Sequence, residues 1–362
     1  MGKKIGILTS GGDCPGLNAA IRGVAKAAYE KIPGAEIIGI VDGYSGLING
    51  EYKAMQPADF SGILTLGGTI LGTSRQPFKT IRVIGEDSVD KVAAMKNTYK
   101  KLGLDCLLTL GGNGTHKTAN LLSEEGLNVI GLPKTIDNDI WGTEVTFGFH
   151  TAVDIATDVI DRIHTTAASH GRVMVVEIMG HKAGWLTLYA GIAGGADIII
   201  LPEIPFDMDE VVAAVKRRAK SGKLFSIVAV AEGAMDVQEA AMKKKQRAAL
   251  RAERGEKTAT ERIARAIEAG TGIETRTVVP GHMQRGGSPA AYDRVLSTQF
   301  GVYAANLIAN DVYGVTVAMD DHHVTHNPLK EVAGKLKNVT PDCQMIRVAR
   351  NMGICFGDAP AK

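Results

Sequence analysis

Apolar runs rich in β-branched residues alternate with amphipathic stretches throughout the first half of the chain. Four of these runs lead directly into small polar loops, and they cover residues 5–9, 106–110, 129–132 and 173–178. This alternation predicts a mainly parallel sheet covered by helices. The four loops then begin at the carboxyl ends of strands, which is where α/β proteins place their binding sites.

The length of the chain predicts two domains. A chain of 362 residues is too long for one comfortable hydrophobic core. A second alternating set includes a strand at residues 173–178, a helix around residues 185–193 and a strand at residues 226–231, which indicates a second α/β unit. The predicted fold class is therefore α/β, and the helical pattern in the first half is clearest over residues 18–31, 87–102 and 150–169.

Charge and cysteine usage exclude several classes of protein. A net charge of +2 creates no strong field for nucleic acid or a membrane surface, so a small-molecule partner is expected. The four cysteines are widely separated and form no CxxC pair, which argues against a zinc site or a disulfide framework. The chain shows no apolar signal segment and no apolar run of membrane-spanning length. These features predict a cytoplasmic location.

Two glycine-rich loops, residues 10–13 and 111–115, follow predicted strands. Glycine lets a phosphate approach the free amides at a helix N-terminus. Neither loop matches a P-loop or a strict GxGxxG, so a tight turn remains the alternative for each, and a nicotinamide site with Asp42 on the ribose is the rival ligand site. Two such loops in one sheet favour nucleotide phosphates and a metal. Thr115 is expected to cap the helix that follows it.

Two carboxylates follow the predicted buried strand at residues 129–132. The sequence Leu-Pro-Lys-Thr-Ile-Asp-Asn-Asp covers residues 132–139. If this loop is extended, Asp137 and Asp139 point in opposite directions and serve different partners, one a substrate hydroxyl and one a metal ion. An aspartate that accepts a hydroxyl proton contributes roughly 10²- to 10⁴-fold to the rate. Capping of the loop is the alternative role for both residues.

Two later segments carry many charges. Arg276 and the run Gly-His-Met-Gln-Arg-Gly-Gly-Ser at residues 281–288 place two arginines and an imidazole among glycines. An arginine bound to a sugar phosphate contributes roughly 1.5 to 3 kcal/mol per charge-assisted bond. The run from Lys243 to Arg262 is predicted to be a solvated helix with charge pairs, and a basic docking surface is the alternative.

Seven motifs, in order along the chain, resemble those of the 6-phosphofructokinase family. They lie at residues 9–13, 42–44, 71–75, 111–115, 133–139, 179–180 and 281–289. The resemblance implies two doubly wound Rossmann-like domains whose mainly parallel sheets face each other across a cleft. Residues 1–148 plus 285–334 are expected to bind the phosphoryl donor, and residues 149–284 plus 335–362 the sugar phosphate. A cytoplasmic homotetramer that acts in glycolysis is implied as well.

The resemblance also implies phosphoryl transfer from ATP to the 1-hydroxyl of fructose 6-phosphate, which gives fructose 1,6-bisphosphate and requires Mg²⁺. Asp137 is implied to be the general base, with Thr135 and Arg75 also catalytic and with Asn113 and Asp139 at the metal. The implied donor-binding residues are Gly12, Tyr44, Arg75, Gly114, Thr115 and Lys134. The implied sugar-phosphate residues are Thr135, Asp137, Met179, Gly180, His181, Glu232, His282 and Arg285, together with Arg172 and Arg276 from a neighbouring subunit.

The positions that decide the donor disagree in this sequence. Gly114 resembles the ATP enzymes, in which a small residue leaves room for the α-phosphate, whereas Lys134 resembles the pyrophosphate enzymes. Steric exclusion is nearly absolute, so ATP is favoured, and a pyrophosphate-dependent fructose 6-phosphate 1-phosphotransferase is the alternative.

Two residues depart from the family pattern. Asn113 replaces an aspartate, which predicts weaker Mg²⁺ binding, and His181 replaces an arginine, which predicts some pH dependence near neutrality. Both changes affect the transition state more than binding, so a catalytically silent sugar-phosphate sensor is a further alternative.

Overall fold

The computed structural model describes residues 2–84 and 89–358. These residues divide into two compact units. The first unit holds the chain up to Thr151 together with Arg285–Lys337, and the second holds Ala152–Gln284 together with the segment that begins at Asn338. The chain therefore passes from one unit to the other three times.

The described residues form strands and helices in an alternating order. The strands are β1 (Lys4–Ser10), β2 (Glu36–Ile40), β3 (Tyr52–Met55), β4 (Cys106–Gly111), β5 (Val129–Pro133), β6 (Val173–Ile178), β7 (Ile198–Ile200), β8 (Ser226–Ala231), β9 (Thr275–Val278), β10 (Val315–Asp320) and β11 (His323–Pro328). The α-helices are α1 (Leu17–Lys31), α2 (Tyr44–Asn49), α3 (Lys91–Lys101), α4 (Asn113–Glu124), α5 (Phe149–His170), α6 (Trp185–Ala193), α7 (Met208–Lys220), α8 (Val237–Ala240), α9 (Lys244–Glu253), α10 (Thr260–Thr271), α11 (Ala291–Ala309), α12 (Leu329–Val332) and α13 (Gln344–Asn351). Short 3₁₀ turns lie at Pro57–Phe60, Phe78–Thr80 and Gly281–Arg285.

The first unit is built on a seven-stranded sheet in the order β11-β10-β5-β4-β1-β2-β3. All pairs are parallel except those made by the edge strands β3 and β11. In the register, Ser10 pairs with Gly111, and Gly111 pairs with Pro133. The loops that follow β1, β4 and β5 therefore start side by side. Every residue of β4 and β5 is buried, as expected for parallel strands covered on both faces.

The second unit contains a four-stranded parallel sheet in the order β7-β8-β6-β9. Ile178 pairs with Ala231, so the loops after β6 and β8 also begin side by side. The core of this unit is formed by the strands together with α7 and α10, and it contains Phe206, Val228 and Ile263, all 0% exposed. Burial of each such side chain contributes roughly 1.5 to 3 kcal/mol.

Close packing of two helices in the first unit depends on glycine. Helices α1 and α11 pack against each other, with Gly23 on one and Gly301 on the other. A Cβ atom at Gly23 would lie 2.8 Å from the carbonyl oxygen of Thr298, and one at Gly301 would lie 2.4 Å from that of Ala20. The two helix backbones can approach this closely only because neither position carries a side chain.

The predicted α/β class is confirmed, since both sheets are mainly parallel and helices separate their strands. Strands were predicted at 173–178 and 226–231 and a helix at 185–193, and β6, β8 and α6 have these bounds. The helix predicted over 87–102 is α3, which begins after a cap at Asp90, and Asp87 lies outside the described residues.

Two predicted elements were wrong. Thr115 does not cap α4 but lies inside it, because the helix already begins at Asn113 with Gly112 in the capping position. The charged run from residue 243 to 262 is not one solvated helix. It forms α9, a break, and the start of α10, and two of its arginines pair with Glu239, which is fully buried. Among the helices of residues 2–84 and 89–358, none has the length and apolar composition needed to cross a membrane.

Candidate active site

A cavity of about 410 Å³ lies at the carboxyl ends of β1, β4 and β5. Its volume is in the range expected for a small-molecule site. All of its lining residues belong to the first unit. Eleven of the predicted site residues line it: Gly12, Tyr44, Arg75, Asn113, Gly114, Thr115, Lys134, Thr135, Asp137, Asp139 and Arg285.

Two cations lie against the first glycine loop. Lys134 donates a hydrogen bond to the carbonyl oxygen of Gly12, and Arg285 Nη1 donates to that of Asp13 at 3.3 Å. A Cβ atom at Gly12 would lie 2.8 Å from Arg285 Nη1, so the absence of a side chain there lets the guanidinium approach the loop. Burial lowers the pKa of the Lys134 ammonium, and so does the charge of Arg285, although Cys14, Asp13 and Asp137 oppose the shift.

The loop that carries Arg75 is tied to the same glycine loop. The amide of Gly11 donates to the carbonyl oxygen of Ser74 at 3.0 Å, and Thr73 Oγ1 donates to that of Gly11 at 2.7 Å. Tyr44 is buried, and its hydroxyl donates to the carbonyl oxygen of Thr115 at 3.0 Å. Tyr44 thus lines the cavity while its hydroxyl is bound to the backbone of α4.

The second glycine loop leads into α4 and leaves open space beside the cavity. A Cβ atom at Gly114 would meet no heavy atom within 4 Å. The neighbouring Asn113 donates through Nδ2 to the carbonyl oxygen of Lys335 at 2.5 Å, while its Oδ1 is buried and accepts no hydrogen bond. Thr115 Oγ1 donates to the carbonyl oxygen of Ser10 at 3.3 Å, which joins the two glycine loops.

His116 supports the second loop from behind, and the sequence analysis missed it. Its Nδ1 lies 3.0 Å from the carbonyl oxygen of Gly112, and its Nε2 lies 2.8 Å from Thr316 Oγ1. Burial lowers the pKa of this imidazole to about 4, so the ring is neutral at pH 7. No pattern in the sequence signals this role, because Thr316 is 200 residues away in the chain.

The segment after β5 turns sharply instead of extending. Asn138 has a φ of 50°, in the left-handed region, so the loop is not extended, and the condition under which Asp137 and Asp139 were expected to point in opposite directions is not met. Both carboxylates line the same cavity. Thr135 Oγ1 accepts a hydrogen bond from the amide of Asp137 at 3.0 Å. Asn138 Oδ1 accepts from the amide of Thr146 at 3.1 Å.

The oxygens at this site suit a weakly held Mg²⁺ ion. Mg²⁺ in proteins is bound by one or two carboxylates and otherwise by water and substrate phosphates. Asp139 supplies a carboxylate, and Asn113 Oδ1 is the buried oxygen that accepts no hydrogen bond. The described residues contain no group of three or more His, Cys, Asp or Glu that could hold a metal without a substrate.

Four of the predicted sugar-phosphate residues lie on neighbouring loops of the second unit. Met179, Gly180 and His181 follow β6, and Glu232 follows β8. His181 Nδ1 lies 3.9 Å from a carboxylate oxygen of Glu232. The two loops pack closely, because a Cβ atom at Gly233 would lie 2.1 Å from the carbonyl oxygen of His181.

The turn that carries His282 is bound to the first of these loops. The amide of Met179 donates to Oε1 of Gln284 at 3.1 Å, and Gln284 is fully buried in the Gly281–Arg285 turn. His282 therefore lies in a turn that is fixed to the end of β6.

Arg172 and Arg276 lie elsewhere in the second unit. Arg172 precedes β6, and Arg276 lies in β9, paired in register with Met174. Both pair with Glu274, and the Arg172 contact measures 2.7 Å. Since a six-residue strand is about 20 Å long, Arg172 and Met179 are separated by the length of β6. Within one chain, the structure does not bring Arg172 to the loops after β6 and β8.

Comparisons with known proteins identify the family of this chain. The family model described as phosphofructokinase matches residues 4–308. A protein of Spirochaeta thermophila named ATP-dependent 6-phosphofructokinase is 58% identical and is covered over 98% of both chains. One of Bacteroides thetaiotaomicron named ATP-dependent 6-phosphofructokinase 3 is 50% identical over 98% of this chain and 100% of its own. The structure of phosphofructokinase from Saccharomyces cerevisiae superposes with a TM-score of 0.78 at 31% identity, over 91% of this chain and 45% of the yeast chain. The chain belongs to the phosphofructokinase family.

Proposed function

We propose that this chain transfers the γ-phosphoryl group of ATP to the 1-hydroxyl of fructose 6-phosphate, giving fructose 1,6-bisphosphate and ADP. The observation that carries the proposal is the single cavity that combines two glycine loops, two carboxylates and three cations. Identities of 58% and 50% to proteins named ATP-dependent 6-phosphofructokinase support ATP as the donor. The reaction is a step of glycolysis, and we place it in the cytoplasm.

Asp137 acts as the general base in this proposal. It lies on a turn at the end of a buried strand, and the hydrogen bond from its amide to Thr135 fixes its backbone. The carboxylate accepts the proton of the sugar hydroxyl as that oxygen attacks the γ-phosphorus. A positioned base of this kind contributes roughly 10²- to 10⁴-fold.

Charge neutralisation is the second contribution of the site. Phosphoryl transfer is catalysed mainly by positioning and by groups that stabilise the charge on the transferred phosphoryl. Arg75, Lys134 and Arg285 line the cavity and supply three positive charges. Mg²⁺, when bound, would neutralise phosphate oxygens, and Asn113 and Asp139 are the residues that would hold it. Gly12, Tyr44 and Thr115 complete the proposed donor site.

The sugar phosphate is proposed to bind the loops after β6 and β8, together with residues near the turn after β5. We assign Met179, Gly180, His181, Glu232 and His282 to this role, together with Thr135, Asp137 and Arg285. Arg172 and Arg276 would reach the sugar phosphate of a neighbouring subunit, because in their own chain they lie far from the loops after β6 and β8. A homotetramer is the proposed assembly. The donor would be bound mainly by residues 1–148 and 285–334.

A coupled assay for fructose 1,6-bisphosphate tests the proposal directly. Purified protein is supplied with fructose 6-phosphate, Mg²⁺ and either ATP or pyrophosphate, and the rate is repeated with excess chelator. Turnover is expected with ATP and Mg²⁺ only. The Asp137→Ala variant should lose at least about 10²-fold in kcat, whereas Asp158→Asn, a change in an exposed carboxylate of α5, should leave kcat unchanged.

The remaining outcomes distinguish the alternatives. A faster reaction with pyrophosphate would identify a pyrophosphate-dependent phosphotransferase. Calorimetric binding of fructose 6-phosphate without turnover from either donor would identify a sugar-phosphate sensor and overturn the proposal.

A further inference from the structure

A short segment of the first unit, residues 335–337, lies alongside the turn that carries Asp137 and Asp139. The carbonyl oxygen of Lys335 accepts a hydrogen bond from Asn113 Nδ2 at 2.5 Å. Leu336 forms an antiparallel bridge with Ile140, and the amide of Lys337 donates to the carbonyl oxygen of Asp139 at 3.0 Å. Three consecutive residues therefore contact both proposed metal ligands and the end of the turn.

The side chain of Lys337 binds the same loop at three further points. Its Nζ donates to Asn138 Oδ1 at 3.0 Å, to the carbonyl oxygen of Thr143 at 2.8 Å and to that of Glu144 at 2.8 Å. An ammonium group has three N–H donors, and these acceptors match all three. Asn138 lies in the turn, and Thr143 and Glu144 lie in the stretch that follows it. The ammonium therefore joins these two parts of the loop.

Lys337 is not one of the residues that line the proposed donor cavity. It borders a second cavity, of about 530 Å³, together with Trp141 and Glu144.

The turn needs such support because its backbone is strained. Asn138 adopts a φ of 50° between the two carboxylates, in the left-handed region that residues other than glycine rarely adopt. This conformation persists only where surrounding contacts hold it. The Oδ1 atom of Asn138 is held by the amide of Thr146 and by Lys337.

We propose that Lys337 is a positioning residue for phosphoryl transfer, which holds Asn138 and thereby fixes Asp137 and Asp139 without contacting the substrate. The inference rests on the proposed function. A displacement of about 1 Å of a reacting group can cost 10²-fold in rate. The loss should appear mainly in kcat, because most of the residues that are proposed to hold ATP and fructose 6-phosphate lie outside this turn.

The test compares Lys337→Ala with Lys335→Ala at pH 7. Lys335 is an exposed residue two positions away, and its ammonium lies over the ring of Trp141, 5.9 Å from the centroid. The Lys335→Ala variant keeps the carbonyl oxygen that Asn113 uses. We expect kcat of Lys337→Ala to fall about 10²-fold, with KM for both substrates within about twofold of the wild type, and kcat of Lys335→Ala to remain unchanged.

Chemical rescue separates positioning from general destabilisation. n-Propylammonium replaces the atoms that Lys337→Ala lacks. It should therefore restore kcat, and the effect should saturate as the amine concentration rises. 1-Propanol has a similar size but no charge and should restore nothing, and neither compound should affect Lys335→Ala. If Lys337→Ala fails to fold, Lys337→Met fills the space without donors, and it should lose kcat while keeping a near wild-type thermal midpoint.

Two results would overturn the inference. One is a kcat for Lys337→Ala equal to that of Lys335→Ala. The other is a loss of activity in Lys337→Met that follows its loss of stability, with no rescue of Lys337→Ala by the amine. Failure of the proposed function gives a different result, since the wild-type protein itself would then show no turnover of fructose 6-phosphate.

Discussion

Two residues in the first turn of α4 differ in how closely their surroundings enclose them. Gly114 borders the cavity, and an added Cβ atom there would meet nothing within 4 Å, so this position is open. His116 is fully enclosed, and both ring nitrogens lie within hydrogen-bond distance of a partner. Substitution at Gly114 should therefore change what the site binds, whereas substitution at His116 should change how the protein responds to acid.

Gly114→Asp is expected to change the donor. The new side chain would extend into open space beside the proposed phosphate site, where its volume and negative charge oppose the α-phosphate of ATP. We expect kcat/KM for ATP to fall at least about 10²-fold, because an unpaired like charge at a phosphate site costs several kcal/mol. KM for fructose 6-phosphate should change little. Gly114→Ala adds only the Cβ atom and is the matched control. Equal use of ATP by Gly114→Asp and the wild type would contradict the steric argument.

His116 makes the first unit sensitive to acid. Its pKa of about 4 is depressed from the ordinary 6.5 by burial, so the unfolded chain binds this proton first as the pH falls. The stability that depends on the neutral ring is complete above pH 6.5 and declines towards pH 4, by about 3 kcal/mol. His116→Gln is less stable at pH 7 because it loses a native contact, but it does not titrate. The difference in free energy of unfolding between His116→Gln and the wild type, measured with urea, should therefore become smaller at low pH. His323→Gln, at an exposed position, is the control. A deficit for His116→Gln that stays constant across this pH range would refute the linkage.

At the scale of elements, periodicity predicted much of the fold. The bounds of β6, β8 and α6 follow from apolar runs and helical spacing alone. Nine of the eleven predicted residues that line one cavity are brought together because they follow β1, β2, β4 and β5, which are adjacent in the sheet. Arg75 and Arg285 are the two exceptions. The roles assigned to these residues stay predictions.

Contacts between residues distant in the chain escaped prediction. Lys337 binds Asn138 across 199 residues, and His116 binds Thr316 across 200, so no local pattern records either pair. The turn at Asn138 was missed for the same reason, since one of the contacts that hold its left-handed backbone comes from the distant Lys337.

The structure of the charged run at residues 243–262 also could not be predicted from its composition. Composition predicts that such residues are solvated, but Arg251 and Arg262 instead pair with Glu239, which is 0% exposed in the short helix α8. Arg251 also donates to the carbonyl oxygen of Ala234 at 2.7 Å. The network therefore fixes α9 and α10 against the loop that follows β8, which carries Glu232.

Glu239→Gln should destabilise the second unit. Removal of one partner of a buried ion pair costs roughly 3 to 5 kcal/mol because it leaves an uncompensated charge. Burial tends to raise the pKa of Glu239, but the hydrogen bond from Arg251 and the charges of Arg251 and Arg262 lower it overall. Its stabilisation is thus present above the ordinary pKa of 4.5 and is lost as the pH falls below it. Urea unfolding at pH 7 measures the effect, with the exposed Glu253→Gln as the control. Equal midpoints for the two variants would contradict the role of the network.

At the scale of the whole molecule, two of the proposed substrate residues need a second subunit. Arg172 and Arg276 pair with Glu274, and Arg172 lies a full strand length from Met179. If the sugar phosphate binds at the loops after β6 and β8, these arginines can act only across an interface. The proposed site thus requires a second subunit, which a dimer or the predicted homotetramer would supply.

Subunit complementation tests this requirement. Asp137→Ala chains and chains with both Arg172→Ala and Arg276→Ala should each be inactive. When the two are refolded together in equal amounts, about a quarter of the shared sites combine intact groups from both chains, so about a quarter of the wild-type rate should return. In a mixture of Asp137→Ala and Thr135→Ala chains, both changes alter the same half of each site. This mixture should therefore regain no activity. No recovery in the first mixture would show that the arginines act within their own chain.

The open space beside Gly114 has a consequence for the history of this protein. Where glycine is encoded by GGU or GGC, one nucleotide change produces an aspartate codon, and the Cβ atom of the new residue would meet no heavy atom within 4 Å. Lys134 is already present at the base of the same cavity. A lineage could therefore change its phosphoryl donor from this starting structure through a single point mutation.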